Sequence, residues 1–166
     1  MSRITLRRPS LALAGILIAI GGCAESPSSP AAREFVQRSA NVRFDASGGG
    51  RTSAVIGENG GTLQTSSGDR IVFPAGALEQ PTTISIVSDR RYAGVQLEPH
   101  GLRFPAGHEP VLQINMQGSN SGSYHAVSVV YVDENLAVEE ELPTSTSSDR
   151  ASTNLHHFSG YILAGH

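Results

Sequence analysis

The chain has 166 residues with 18 Gly, 9 Pro, no Trp, 5% aromatics and a formal net charge of −3 at pH 7. That length suits one domain of ordinary size, whose core must come mainly from Val, Ile, Leu and Ala. A single Cys excludes an intrachain disulfide and a thiolate-built zinc site, and frequent Gly and Pro between short apolar runs favour an all-β domain with many turns.

All twelve basic residues are Arg. Arg3, Arg7 and Arg8 make the first nine residues a positive, acid-free region. Residues 11–20 form an apolar run of ten. That is half of the roughly 20 needed to span a bilayer as a helix, so it reads as an export signal. Ile20-Gly21-Gly22-Cys23 follows at once. This resembles a lipobox, an aliphatic residue and two small ones before Cys, although Leu is commoner than Ile in the first position. The resemblance implies that the Cys23 sulfur receives a diacylglyceryl group, that residues 1–22 are then removed, and that acyl chains anchor the mature chain to a membrane. An ordinary secretory signal with an incidental Cys is the alternative. Arg7-Arg8 hints at twin-arginine export, but the flanking residues fit a plain signal better. No Asp follows Cys23, which points to the outer membrane, facing periplasm or surface. Downstream of Cys23, nine basic residues stand against fifteen acidic ones. An acidic surface repels phosphate backbones, so nucleic acid is not expected as a partner.

Residues 23–53 then read as the lipidated Cys and a flexible linker. Ser26-Pro27-Ser28-Ser29-Pro30 and Gly48-Gly49-Gly50 bury too little apolar surface to offset chain entropy. Within this linker, residues 32–39 can form a helical turn or two.

The folded domain is expected over 54–166. Short strands are predicted at 62–65 and 70–73 around a Ser66-Ser67-Gly68-Asp69 turn, then at 82–88, where Ile84 and Ile86 alternate with Thr83 and Ser85. Strands at 95–98 and 102–104 flank a Pro99-His100-Gly101 turn. Residues 111–116 alternate, 126–132 form a β-branched run, and 136–142 return from an Asp133-Glu134-Asn135 turn. Residues 154–158 and 161–163 close the domain. Short strands at even spacing with no helical period predict an antiparallel β-sandwich.

At these residues the sequence resembles the ZU5 family, a β-sandwich module. The signature runs through Gly60-Gly61-Thr62-Leu63, then Ile71-Val72-Phe73-Pro74-Ala75-Gly76-Ala77-Leu78, then Leu97-Glu98-Pro99-His100-Gly101-Leu102-Arg103-Phe104, and ends in His157-Phe158-Ser159-Gly160-Tyr161. It covers roughly 54–164. Gly76 and Gly101 permit turns that a side chain obstructs. Pro74 and Pro99 stop strands by withholding a donor. The resemblance implies a fold more firmly than a task.

In a few ZU5-containing proteins a His-Phe-Ser sequence cuts itself between Phe and Ser. By matching, Ser159 is the nucleophile on the Phe158 carbonyl and His157 the base, giving an ester by an N-to-O acyl shift that water hydrolyses. The plainer reading makes the same residues a last strand with Phe158 in the core, and it is preferred. His100, His108, His125, His156, His157 and His166 do not recur at a ligand spacing, so no metal site is expected. Asp133-Glu134 and Glu139-Glu140-Glu141 lack a calcium-loop register and read as a solvated acidic hairpin.

The expectation is a lipid-anchored β-sandwich of the cell envelope, with no enzymatic turnover and no cofactor. Its role is structural or protein-binding through an exposed strand edge or the loop at 117–124, with the partner open. Self-processing at Phe158-Ser159 and loop-mediated glycan or metal binding are the alternatives.

Overall fold

Apolar residues at every second position let short strands bury one face and pair through their backbones. The computed structural model describes residues 33–40, 42 and 50–166. The signal expected at 1–22, with Ile20, Gly21 and Gly22, and the lipidation residue Cys23 lie outside the described residues.

Twelve strands are found among the described residues: β1 (Glu34–Phe35), β2 (Arg51–Ile56), β3 (Gly61–Gln64), β4 (Arg70–Phe73), β5 (Thr82–Ser88), β6 (Gly94–Glu98), β7 (Val111–Asn115), β8 (Val127–Val132), β9 (Val138–Leu142), β10 (Ser145–Thr146), β11 (Arg150–Asn154) and β12 (Gly160–Gly165). The only helical segment described is one 3₁₀ turn at Ser121–Ser123. The larger sheet runs β2-β5-β6-β12-β8-β9, with β1 also on β12. The smaller runs β10-β11-β7-β4-β3. Every strand pairing is antiparallel. The chain is an all-β protein of two antiparallel sheets packed face to face, a β-sandwich.

Ile84, Ile86 and Leu97 from the larger sheet share one core with Ile71, Leu112 and Ile114 from the smaller, all without solvent exposure. Burying such a side chain contributes about 1.5–3 kcal/mol. Along β12, Tyr161 and Leu163 enter this core, whereas Ile162 and Ala164 face the other way and join Val130 and Val132 in a second apolar group. That split follows the two-residue period of a strand.

The strands expected at 70–73 and 82–88 have those bounds. Other expectations change. Residues 102–104 make only an isolated bridge, Arg103 to His157. The strand expected at 154–158 lies earlier, at Arg150–Asn154. Its inward residues are the small Ala151 and Thr153, too weakly apolar to mark a strand. Described residues inside the segment expected as linker at 23–53, before the boundary expected at 54, form sheet structure. β2 begins at Arg51, and residues 34–38 are built into the sandwich. The helical turn expected at 32–39 is extended chain instead over its described part, because its amides bond β12 and the loops at Arg91 and 118–120. Gly76 and Gly101 have φ of 81° and 76°, as their turn roles require. Pro74 and Pro99 directly follow the ends of β4 and β6.

Candidate functional site

The residues just before the expected domain form an arm that is integral to the fold. Glu34 and Phe35 pair with Gly165 and Ala164 on β12. Next, the Val36 amide donates to the Leu163 carbonyl at 2.8 Å, and the Ala93 amide donates to the Val36 carbonyl at 2.8 Å. The Val36 side chain is fully buried in the main core. Phe35 turns to the second apolar group on the opposite face, its ring edge-on to Tyr92 at 5.5 Å. Arg33 forms an ion pair with Glu141 of β9 at 2.7 Å.

The arm ends in a buried ionic clasp. Arg38 Nη2 donates to Asp69 Oδ2 at 2.7 Å, and neither side chain has solvent exposure. Arg38 Nε donates to the Asp89 and Tyr92 carbonyls at 3.1 and 3.0 Å. Around Asp69, the Ser67 and Ser88 hydroxyls donate to Oδ2, and the Asn115 amide donates to Oδ1 at 2.9 Å. A buried ion pair is tolerated only when such partners satisfy its remaining lone pairs and protons. Asp69 sits in the β3–β4 turn and Asn115 ends β7, both of the smaller sheet, while Ser88 ends β5 of the larger. The clasp therefore ties the arm to both sheets at one end of the sandwich.

The loop at 117–124 also seats the arm. The Asn120 side-chain oxygen accepts the Gln37 amide at 2.7 Å, and the Gly118 carbonyl accepts the Ser39 amide at 2.6 Å.

His157, Phe158 and Ser159 lie between β11 and β12. Phe158 is 1% exposed and its ring meets those of Phe104 and Phe73 edge-on at 5.1 and 6.0 Å. The Phe158 carbonyl accepts the Gly101 amide at 3.0 Å, a contact that polarises this carbonyl. The base is aimed elsewhere. His157 Nδ1 lies 3.4 Å from the Tyr161 hydroxyl, and its ring stands edge-on to Tyr131 at 5.1 Å. Tyr161 donates to the His157 carbonyl at 2.6 Å. Burial, with smaller contributions from Glu140 and Tyr131, pushes the Tyr161 phenol far up, so it remains a donor. The structure brings His157 to two tyrosines and not to the Ser159 hydroxyl. No protein-family model matches this chain, and no curated protein matches it.

Among the described residues, no three His, Cys, Asp or Glu side chains come together as a metal site. Asp133 serves its turn: Oδ1 accepts the Asn135 and Ala137 amides, each at 2.8 Å. The Ala137 amide foremost holds its carboxyl below the ordinary value. The residues that sequence reasoning missed are Val36, Arg38 and Asp69. Their one local signal is Phe35-Val36, an apolar pair in a polar stretch.

Proposed function

We propose that this chain is a membrane-anchored cell-envelope lipoprotein that displays a ZU5-like β-sandwich for a structural or protein-binding role. The observation that carries the reading is the placement of the sole Cys at the end of Ile20-Gly21-Gly22-Cys23, ten residues before Arg33 at the start of the arm. Ten residues reach roughly 35 Å at full extension. Acyl chains on Cys23 hold the sandwich close beside the bilayer, and the clasp transmits that attachment to both sheets. The Pro-x-Gly-Ala-Leu and Glu-Pro-x-Gly blocks at 74–78 and 98–101, set in a two-sheet sandwich, support the ZU5-like part. An outer-membrane location, facing periplasm or surface, rests on the residues after Cys23. The partner is a protein, and nucleic acid is disfavoured by the acidic surface.

Palmitate labelling of bacterial cells expressing the full chain, with fractionation of membranes, tests the anchor. The wild-type protein takes up label and sediments with membranes, and Cys23→Ser does neither. Equal labelling of the two proteins overturns the reading.

A further inference from the structure

An open groove of ≈ 510 Å³ lies along β11, walled by the β6–β7 loop on one side and the segment leading into β10 on the other. We propose that this groove binds a neutral oligosaccharide of the cell envelope, with Glu109, Asn154 and Ser152 gripping sugar hydroxyls. Its volume falls within the range of small-ligand sites.

The walls are fixed by bonds that do not use the groove's own recognition groups. Thr153 donates its hydroxyl to the Pro143 carbonyl at 2.8 Å, and Thr144 donates to the Leu142 carbonyl while accepting the Val129 amide, both at 2.8 Å. The Leu155 amide donates to the Pro110 carbonyl at 2.9 Å. Glu109 is oriented by the Gly107 amide, which donates to Oε2 at 2.8 Å, and by His156, whose Nδ1 is 3.8 Å from Oε1. By contrast, the hydroxyls of Ser145 and Ser152 and the carboxamide of Asn154 make no hydrogen bond to other described residues. A rigid frame thus presents unengaged donors and acceptors, which lowers the ordering cost of binding.

The chemistry selects the ligand class. A carboxylate accepts from two adjacent hydroxyls, a carboxamide both donates and accepts, and serine hydroxyls do the same. Val111 and Pro143 supply apolar wall for the C–H face of a sugar ring. A phosphate or carboxylate ligand is repelled by Glu109. A metal ion finds one carboxylate and one imidazole, too few to hold it. The groove also lies away from the clasp: β7 starts at Val111 in the groove and ends at Asn115 beside Asp69.

The test uses the full chain in a detergent without sugar headgroups and follows its amide resonances. Chitotriose, cellotriose and maltotriose are titrated to about 10 mM, a range that captures millimolar affinities. At least one is expected to shift the amides of Val111, Ser145 and Ser152 saturably. Glu109→Gln and Asn154→Ala each weaken that binding by roughly tenfold or more, while the amide resonances away from the groove keep their folded positions. No saturable shift with any of the three sugars overturns the proposal. So does a shift at these amides caused by triarginine or Zn²⁺ in place of sugar, which assigns the groove to a cation.

Discussion

Arg38 and Asp69 meet at 2.7 Å inside the protein, 31 residues apart in sequence and each without solvent exposure. Removing one partner leaves a charge buried and uncompensated. Arg38→Ala or Asp69→Ala is therefore expected to cost about 3–5 kcal/mol in denaturant unfolding of the full chain. Replacing both by apolar residues, Arg38→Met with Asp69→Leu, removes the orphaned charge and is expected to recover part of that loss. The remainder reflects the Ser67 and Ser88 hydroxyls, the Asn115 amide and the Asp89 and Tyr92 carbonyls, which lose their partners. A double variant no more stable than the single ones refutes the assignment of the loss to an orphaned charge.

The arm adds burial as well as charge. Val36 has no solvent exposure, and its carbonyl and amide bond Ala93 and Leu163. Val36→Asp places a carboxylate in the core and is expected to undock the arm locally. Hydrogen exchange is the measurement. The Ala93 amide, which loses its acceptor, exchanges faster in the variant, while the Leu112 and Ile114 amides of the smaller sheet keep most of their protection. Uniform acceleration across both sheets shows that the arm does not open separately.

The direction of His157 bears on self-processing. Its Nδ1 faces the Tyr161 hydroxyl at 3.4 Å, and the imidazole makes no hydrogen bond to Ser159, the contact that proton removal needs. Purified protein is expected to give a single intact species in denaturing mass spectrometry, with no separable fragment of residues 159–166. Finding that fragment shows that His157 reorients. Phe158→Ala, which empties the site between Phe73 and Phe104, is expected to cost about 3–5 kcal/mol whether or not the bond is cut.

Acid sensitivity follows from three carboxyls. Glu98 is held below its ordinary value first by its hydrogen bond from Arg51. Glu109 is held down by backbone amides, its own and that of Gly107, and Asp133 by the amides of its turn. A depressed folded value means that each contributes stability above its unfolded value and loses it as pH falls through the folded one. Stability is therefore expected to be insensitive to these three groups near neutrality and to decline below about pH 4. Asp133→Asn makes that decline shallower in urea midpoints measured from pH 2 to 7. An unchanged acid slope in the variant removes Asp133 from the account.

How far the sequence disclosed this molecule depended on the range of the interactions. β5 was legible because Ile84 and Ile86 alternate with polar residues inside one short run. β11 was not, since Ala151 and Thr153 fill inward positions without an apolar signal. The arm was illegible for a different reason. Its backbone partners lie on β12, more than a hundred residues away, and at Arg91, Ala93 and Gly118, and Arg38 reads as a surface charge until Asp69 is placed against it. Asp69 in turn reads as an ordinary turn residue beside Gly68. His157, Phe158 and Ser159 were legible as residues, but the aim of the imidazole depends on Tyr131 and Tyr161. The groove at Glu109 and Asn154 draws on three separated segments, so no local pattern marked it.

The two glycines of the signature blocks give a paired prediction. Both have positive φ, where an L side chain costs about 1–2 kcal/mol. At Gly101 a Cβ meets nothing within 4 Å, so Gly101→Ala carries the conformational cost alone. At Gly76 a Cβ comes to 2.9 Å from His108 Nδ1, the atom that lies 2.8 Å from the Ala75 carbonyl. Gly76→Ala must displace that ring and lose its bond to the 74–78 turn. It is therefore expected to be the more destabilising of the two, by about 1 kcal/mol for the lost hydrogen bond. His108→Ala separates the causes: in that background the two glycine variants should cost the same. Urea unfolding of the five variants checks this, and a Gly76→Ala cost that stays larger without His108 assigns the difference to the backbone.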